Sequence, residues 1–378
     1  MPDNSDSDTL HYKNFIPDDT DYVPIDRIIS VSDEFFTPFD AMREQFGYSW
    51  EQVFRRFLMY RPGIQYIFSA PDKFEGGVML DTSTVMNLIP MWIENIRQNW
   101  DYLKSSINNM PNAVGRTAIT ISAGPSAVKH NHFQLLAESG FQEKGGLIIS
   151  TSHSLLNCLK AGIIPDMVSN VDGSVRIRDY LDNPLIIKHI PEIPMVLTAS
   201  SSHDVVKFWA DHGGKMYFFR NSIPENVLPN VDKFLSSMLP DLPTIDTGGN
   251  SGSFTVNLAI VLGCKTVCTI GLDLSNQMNV PVRSTAYWHR FVENLGHLDI
   301  DTLAELKERA YTQYHHTVFD TDCYFDDVFK VYRESLLGAA EYYANVGINL
   351  INASEEGCVE GPGIKCMQFA DFLSGCGL

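Results

Sequence analysis

The sequence predicts a doubly wound α/β fold on a mainly parallel sheet, with helical additions at both ends. Two observations carry that expectation. Between Ala118 and Asp172, three short apolar runs alternate with two helical patterns. The first run also ends in a glycine turn that feeds directly into a helix.

Ala118-Ile119-Thr120-Ile121-Ser122 is rich in β-branched residues, and Ala123-Gly124-Pro125-Ser126 follows at once. A helical pattern opens at His130. A strand ending in Gly-Pro-Ser before a helix is expected to leave backbone N–H groups facing outward. Those groups and the positive end of the helix dipole suit a phosphate. Gly124 lacks a Cβ and admits close approach, Pro125 fixes φ, and Ser126 caps the helix or bonds a phosphate oxygen. The same residues also make an ordinary βα turn, and both readings stand at this stage.

Gly146-Leu147-Ile148-Ile149-Ser150 is a second buried strand. Ser152 is an N-cap for a helix with Leu155, Leu156 and Leu159 on one face, closed by Gly162. Asp166 to Asp172 is a third strand. In such sheets ligands sit outside the carboxyl ends of the strands, which brings Gly124, Ser126, Ser152, His153 and Asp172 to one edge.

Further along, Val175 to Asp182 is helical, Met195 to Thr198 and Lys215 to Phe219 are strands, and Asn221 to Pro243 is a proline-marked excursion. The hydroxyl-rich loop Thr247 to Ser253, with Gly249, Asn250 and Ser251, precedes an apolar helix from Phe254 to Leu262. That loop offers a second helix N-terminus to an anion. Thr266 to Gly271 is a strand leading to Asp273. Asn276 to Gly296 reads as a lid or acceptor loop, Asp301 to Tyr314 and Phe325 to Asn345 as helices, and Ile348 to Ile351 as a final strand.

Four regions follow: a tail over 1–21, a helical region over 22–112, a Rossmann-like core over 113–300, and C-terminal helices with a closing strand over 301–378. In the second region, Trp50 to Tyr60 and Met91 to Ile107 are helical, with a strand at Gly63 to Phe68 between them. Trp92, Ile96, Trp100, Leu103 and Ile107 recur at helical spacing, a stripe that belongs to packing rather than chemistry.

Composition sets bounds. Of 378 residues, 44% are hydrophobic and 20% are charged, with a formal net charge of −18. Such an acidic chain gains no electrostatic help from nucleic acid backbones. The seven cysteines form no Cys-x-x-Cys pair, so they read as reduced core residues. The first residues lack a secretion signal, and no uncharged apolar run is long enough to span a bilayer. The expected setting is cytoplasmic.

The ordered motifs carry a resemblance. They are Ile93-Glu94-Asn95-Ile96, Ser122-Ala123-Gly124-Pro125-Ser126, Gly162 to Asp166 with Asp172, and Gly249-Asn250-Ser251. Leu262-Gly263, Ile270-Gly271-Leu272-Asp273-Leu274, Gly347 to Ser354 and Gly361 to Ile364 complete the set. Together they resemble the motility accessory factor family, whose central domain is shared with archaeal 6-hydroxymethylpterin diphosphokinases. Relatives of this kind have a sialyltransferase-like fold. The resemblance implies a transferase that moves a nonulosonic (sialic-like) acid from a CMP carrier to a hydroxyl, such as a flagellin Ser or Thr. The alternative that it implies is diphosphate transfer from ATP to a pterin alcohol. A nucleotide-binding module without catalysis is a third class. This chain is shorter than the motility factors and longer than the pterin enzymes, which leaves the acceptor open.

Both enzyme readings need a nucleotide held by its phosphates. Gly124, Pro125 and Ser126 are the first candidates, with Ser152, Gly249, Asn250, Ser251 and Asp273 around them. Glycosyl transfer needs a general base, and His289 and His153 are the candidates. ATP chemistry would instead use Asp172 and Asp273 to hold magnesium between phosphate oxygens. The same two carboxylates could otherwise order a ribose, a sugar or a loop.

Overall fold

The structure, a computed structural model, describes residues 76–222, 231–285, 288 and 311–375. Its first helix, α1 (Gly76–Asn99), leads through a 3-10 turn at Trp100–Tyr102 towards the first strand. In order there follow β1 (Thr117–Ile121), α2 (Ser126–Lys129), α3 (His132–Glu138), β2 (Leu147–Thr151), α4 (Leu155–Lys160) and β3 (Met167–Asn170). Next come α5 (Ile177–Leu181), α6 (Pro184–His189), β4 (Met195–Thr198), α7 (His203–Asp211), β5 (Met216–Asn221), α8 (Val231–Met238) and β6 (Thr244–Ile245). After these are α9 (Ser251–Val261), β7 (Thr266–Ile270), β8 (Asn276–Gln277), β9 (Tyr311–His316), β10 (Thr321–Asp326) and α10 (Asp327–Asn345). The last elements are β11 (Asn349–Asn352), β12 (Ile364–Cys366) and α11 (Phe369–Gly375).

Among the described residues, nine strands form one parallel sheet in the order β12-β11-β7-β1-β2-β3-β4-β5-β6. The doubly wound, Rossmann-like expectation therefore holds. Alternate side chains serve opposite faces, as the strand period requires. Ala118, Leu147, Ile149, Val196 and Phe219 pack with Phe254, Val256 and Leu258 of α9. Ile119, Ile121, Ile148 and Ile270 meet Phe133 of α3 and Phe369 of α11 on the other side. Further along that second face, Val168, Met195 and Leu197 pack with Ile93 and Ile96 of α1 and with Val205 and Trp209 of α7. The chain lays down β1 to β6 in one direction and then returns to place β7 on the opposite flank of β1. The topological switch point is thus between β1 and β7, where open α/β sheets bind ligands.

Several boundaries differ from the sequence reading. Helix α1 ends at Asn99, so Trp100 lies in the 3-10 turn and is 41% exposed, whereas Ile107 is buried and starts a separate 3-10 turn. The pattern at His130 is two helices, because Asn131 adopts a left-handed φ of 55° between them. The helix expected up to Tyr314 is strand from Tyr311, and α10 starts at Asp327 because Phe325 and Asp326 still belong to β10. Polar residues on the open side of this hairpin hid its alternation, and pairing of β9 with β10 outweighed local helix propensity. The short β6, β12 and α11 and the helix α8 were also not foreseen, because elements of two to eight residues carry little periodic signal. Expectations for the tail, for 22–75, for most of the Asn276 to Gly296 loop, including Tyr287 and His289, and for the Asp301 helix up to residue 310 lie outside the described residues. No helix among the described residues is long and apolar enough to cross a membrane. None of the six described cysteines forms a disulfide with another described cysteine.

Two amides join α1 to the sheet. Asn95 Nδ2 donates to Gly173 O at 3.1 Å and Ser200 O at 2.9 Å. The buried Asn99 Nδ2 donates to Ala199 O at 3.2 Å and Ser201 O at 2.8 Å. These carbonyls follow β3 and β4, so α1 satisfies backbone that no strand can reach. Replacing Asn99 with Ala leaves two acceptors unpaired, which should cost about 3 kcal/mol, given about 1–3 kcal/mol per buried unsatisfied group. Urea unfolding followed by circular dichroism checks this; an unchanged midpoint would show that Asn99 does not carry the join.

Candidate functional site

Bonds continue across the β1–β7 junction beyond the strand ends. Ser122 N donates to Ile270 O at 2.9 Å and Gly124 N to Gly271 O at 2.7 Å. Ser126 N then donates to Asp273 Oδ2 at 3.1 Å, and its hydroxyl donates to Asp273 Oδ1. The N–H groups of Gly124 and Ser126 therefore do not face outward, as the sequence reading expected. A carboxylate from the same chain already sits where an anion was expected. Glycine is required here for packing: a Cβ at Gly124 would lie 2.5 Å from Asp273 Cγ and from Gly271 O. Pro125 occupies the N-cap of α2 with an αR backbone. Asp273 is only 5% exposed, and burial pushes its pKa up to about 6 despite the bonds from Ser126.

Beside this closure lies a charged network that sequence reading did not assemble. Lys129 pairs with Glu356, which also accepts from Gln277 Nε2 at 2.7 Å and lies 3.3 Å from His130 Nε2. Glu355, at a left-handed φ of 66°, accepts from Phe369 N at 2.9 Å and pairs with His132 Nε2 at 3.2 Å. Burial raises the Glu356 pKa, but the Lys129 and Gln277 contacts outweigh it and hold the carboxyl below its usual range. Burial lowers His132. The adjacent pair Glu355-Glu356 after the last long strand was the available signal. Only the fold shows that its cationic and imidazole partners, Lys129, His130 and His132, lie more than two hundred residues earlier.

The opposite side of the switch point is built differently. Asn250 caps α9: its Oδ1 accepts from Ser253 N at 2.9 Å, and its Nδ2 donates to Gly248 O and Ser253 Oγ. The first N–H groups of the helix, on Ser251 and Gly252, have no intrahelical acceptor. Gly252 sits against the β1 end, where a Cβ would lie 2.7 Å from Ser122 Oγ and 2.6 Å from Leu272 Cδ1. Ser122 is 4% exposed, and its hydroxyl has no hydrogen-bond partner among the described residues. Gly249 packs under the Tyr332 ring from α10. An 11-residue helix, its open N–H groups and an unpaired buried hydroxyl thus converge at one place.

Just past β2, Ser152 is buried and its hydroxyl has no partner among the described residues; the N-cap of α4 is Ser154, not Ser152 as expected, because the helix starts only at Leu155, and Ser154 Oγ donates to Ser122 O at 2.8 Å. His153 follows on the exposed edge, its ring 4.0 Å from the Tyr180 ring. Partial desolvation lowers the His153 pKa, and the nearby Asp172 charge opposes that shift. Asp172 is exposed after β3 and accepts from Ser174 N at 2.8 Å. It has no contact with Asp273 among those described: with β1 and β2 between them, the strands that carry the two aspartates are about 14 Å apart at roughly 4.8 Å per strand. A groove of about 910 Å³ lined by Trp100, Lys104, Met238 and Leu242 opens at the far β6 edge instead.

Asp273 titrates across its own fold. Its pKa in the folded chain is above the value of 3.8 for an ordinary carboxyl. The folded state then holds the proton more tightly, and Asp273's contribution to stability declines as pH rises from about 4 to 6. Asp273→Asn should abolish that decline relative to the parent in denaturation curves over this range. Parallel pH profiles would contradict the assignment.

Comparison with known proteins gives one family. Residues 91–279, half of the chain, match the family described as 6-hydroxymethylpterin diphosphokinase MptE-like. A similar solved structure is the MAf glycosyltransferase from Magnetospirillum magneticum AMB-1, at 10% identity and a TM-score of 0.49. That similarity covers 89% of this chain and 51% of the other, so this chain spans about half the length of that protein. No curated protein matches. Because the match takes in β1 to β8 and both sides of the switch point, the chain belongs to the MptE-like family.

Proposed function

We propose that this protein is a transferase acting on a nucleotide-activated donor, and that it moves a nonulosonic acid from CMP to a hydroxyl acceptor. The observation that carries the choice is the separation of Asp172 from Asp273. Asp273 is sealed against Ser126, and Asp172 is on the far side of two strands. A magnesium ion binds oxygens at about 2.0–2.1 Å, so this pair does not fit one shared ion between triphosphate oxygens. A glycosyl donor carrying one phosphate does not require that ion. The order of motifs shared with motility accessory factors supports the same reading, with a flagellin Ser or Thr as one acceptor.

In this reading the donor phosphate occupies the start of α9, beside Ser251, Gly252 and Ser122. His153 acts as general base, since desolvation keeps its imidazole neutral near pH 7. It takes the proton from the acceptor hydroxyl as that oxygen attacks the anomeric carbon. The bond from that carbon to the phosphate oxygen breaks, and CMP leaves with the electron pair. The helix N–H groups and the Ser122 hydroxyl stabilise the growing phosphate charge. Asp172 favours the imidazolium that forms. Ser152, Gly249 and Asn250 shape the cleft, whereas Gly124, Pro125, Ser126 and Asp273 hold its far wall. His289 is the alternative base. Diphosphate transfer from ATP to a pterin alcohol is the second reading, favoured by the description of the matching family.

A thermal-shift panel separates the two. CMP without magnesium should stabilise the chain by about 2.7 kcal/mol at 100 times its dissociation constant. Stabilisation by ATP alone, abolished by chelator and restored by magnesium, would replace glycosyl with diphosphate transfer. Ser122→Ala should weaken CMP binding roughly tenfold or more, the scale of a lost hydrogen bond to a charged group. His153→Ala should cut turnover by about 10²–10⁴-fold and leave CMP affinity nearly unchanged. A fully active variant would remove His153 from the base role.

A further inference from the structure

We infer that the acceptor substrate is polyhydroxylated, and that His203 holds one of its hydroxyls at the β4 end, an inference that rests on the glycosyl-transfer reading above. His203 is the first residue of α7, shortly after β4. Its Nδ1 lies 3.0 Å from Asn99 Oδ1. The Asn99 amide has a single orientation, because both protons of Nδ2 are used on Ala199 O and Ser201 O. Turned over, its oxygen would face two carbonyl oxygens. Oδ1 therefore faces His203, and Nδ1 brings the proton to that bond. In the neutral ring Nε2 is then a bare lone pair. Nε2 has no partner among the described residues and is not buried. The Tyr102 ring also packs against the imidazole, at 6.0 Å and edge-on. A fixed hydrogen-bond acceptor thus stands open at the edge where such sheets bind ligands.

The charges around this lone pair select its partner. Ser202 N reaches Asp172 O at 3.5 Å, so the exposed Asp172 is on the adjoining loop. Asp204, exposed in the first turn of α7, offsets the positive end of that helix. Lys207, one turn on, is committed to Asp211 at 2.6 Å. A lone pair among carboxylates disfavours a phosphate and favours a neutral group that brings its own proton. The donors that suit a phosphate are at Ser122 and the start of α9. In sheet order β4 is three places from β1, so these two strands are about 14 Å apart at roughly 4.8 Å per strand. A hydroxyl has one proton to donate. The reacting hydroxyl gives its proton to the general base, so the bond to His203 needs a second hydroxyl. A saccharide supplies both, whereas a single Ser or Thr side chain supplies one. His203 acts in binding alone: the proton of the hydroxyl it holds stays on that hydroxyl.

The test is nitrogen-15 NMR of the full chain labelled at histidine, at about pH 8, above the ordinary histidine range. The chain is titrated with methyl galactoside, N-acetylthreonine amide and inorganic phosphate, and separately with CMP. The His203 ring should carry its proton on Nδ1. Methyl galactoside should move the Nε2 resonance, and the other two probes should not. His203→Asn keeps an N–H for Asn99 Oδ1 but removes the lone pair. That variant should bind methyl galactoside about fivefold more weakly, the scale of one hydrogen bond, and keep its unfolding midpoint and CMP affinity. A proton on Nε2 in the parent would overturn the inference. So would an Nε2 resonance that galactoside leaves in place, or one that phosphate or the threonine probe moves as much. Equal losses of galactoside and CMP in His203→Asn would also overturn it, since His203 would then act on the nucleotide or the fold. CMP binding without a galactoside response removes this inference and leaves the nucleotide reading standing. A galactoside response in a chain that binds no CMP does the reverse.

Discussion

The contact between Gly124 and Asp273 is the constraint on which the site depends. It closes the seam where the two halves of the sheet meet. The β1 loop must pass within bonding distance of the β7 loop, and only a residue without Cβ permits it. Asp273 can then reach the Ser126 N–H and hydroxyl, where it satisfies the start of α2. The carboxylate is buried for that reason, and desolvation moves its pKa upward. A single close approach thus sets backbone position, burial and charge state together.

Closure on one side of the seam leaves the other side open. On the α2 face, the backbone donors are used by the protein itself, and the Lys129–Glu356 and His132–Glu355 pairs extend that seal to β11 and α11. On the α9 face, the cap uses Asn250 and satisfies Ser253 N, but the first two N–H groups stay in front of the sheet edge with Ser122 beside them. A buried hydroxyl without a partner is costly, and in the proposed reading the donor phosphate completes the one on Ser122. The chain carries a formal charge of −18, so such local donors, rather than the overall field, must attract an anion.

Acidic residues at the edge divide into two kinds by burial. Asp273, Glu355 and Glu356 face inward and tie segments distant in sequence to one another. Asp172 faces outward, accepts from the neighbouring Ser174 N, and places its charge where the His153 imidazole feels it rather than joining distant segments. The same residue type at equivalent strand ends therefore supports different roles, and the neighbouring chain decides which. This also explains why two aspartates that look equivalent at strand ends do not form one ion site.

The repeated strand and helix patterns from Ala118 to Asp172, and the run of apolar residues in α9, were enough by themselves to specify a parallel sheet with helices on both faces. Their side-chain periods report burial directly, and burial is what a local pattern encodes. The residue types at the edge were legible for the same reason: Gly124, Ser126, Ser152, His153, Asp172, Asn250 and Asp273 all end strands or open helices. Which of them meet was not legible. The β7 strand inserts beside β1 after about 150 intervening residues, so Asp273 reaching Ser126, Ser122 lying against Gly252 and Glu355 holding Phe369 are consequences of strand order. The β9–β10 hairpin escaped notice because its pairing partners, not its own residues, make it a strand. Sequence determined the layers and the edge; tertiary structure alone decided which donors were consumed and which stayed open, because hydrogen-bond partners are allotted by proximity in space.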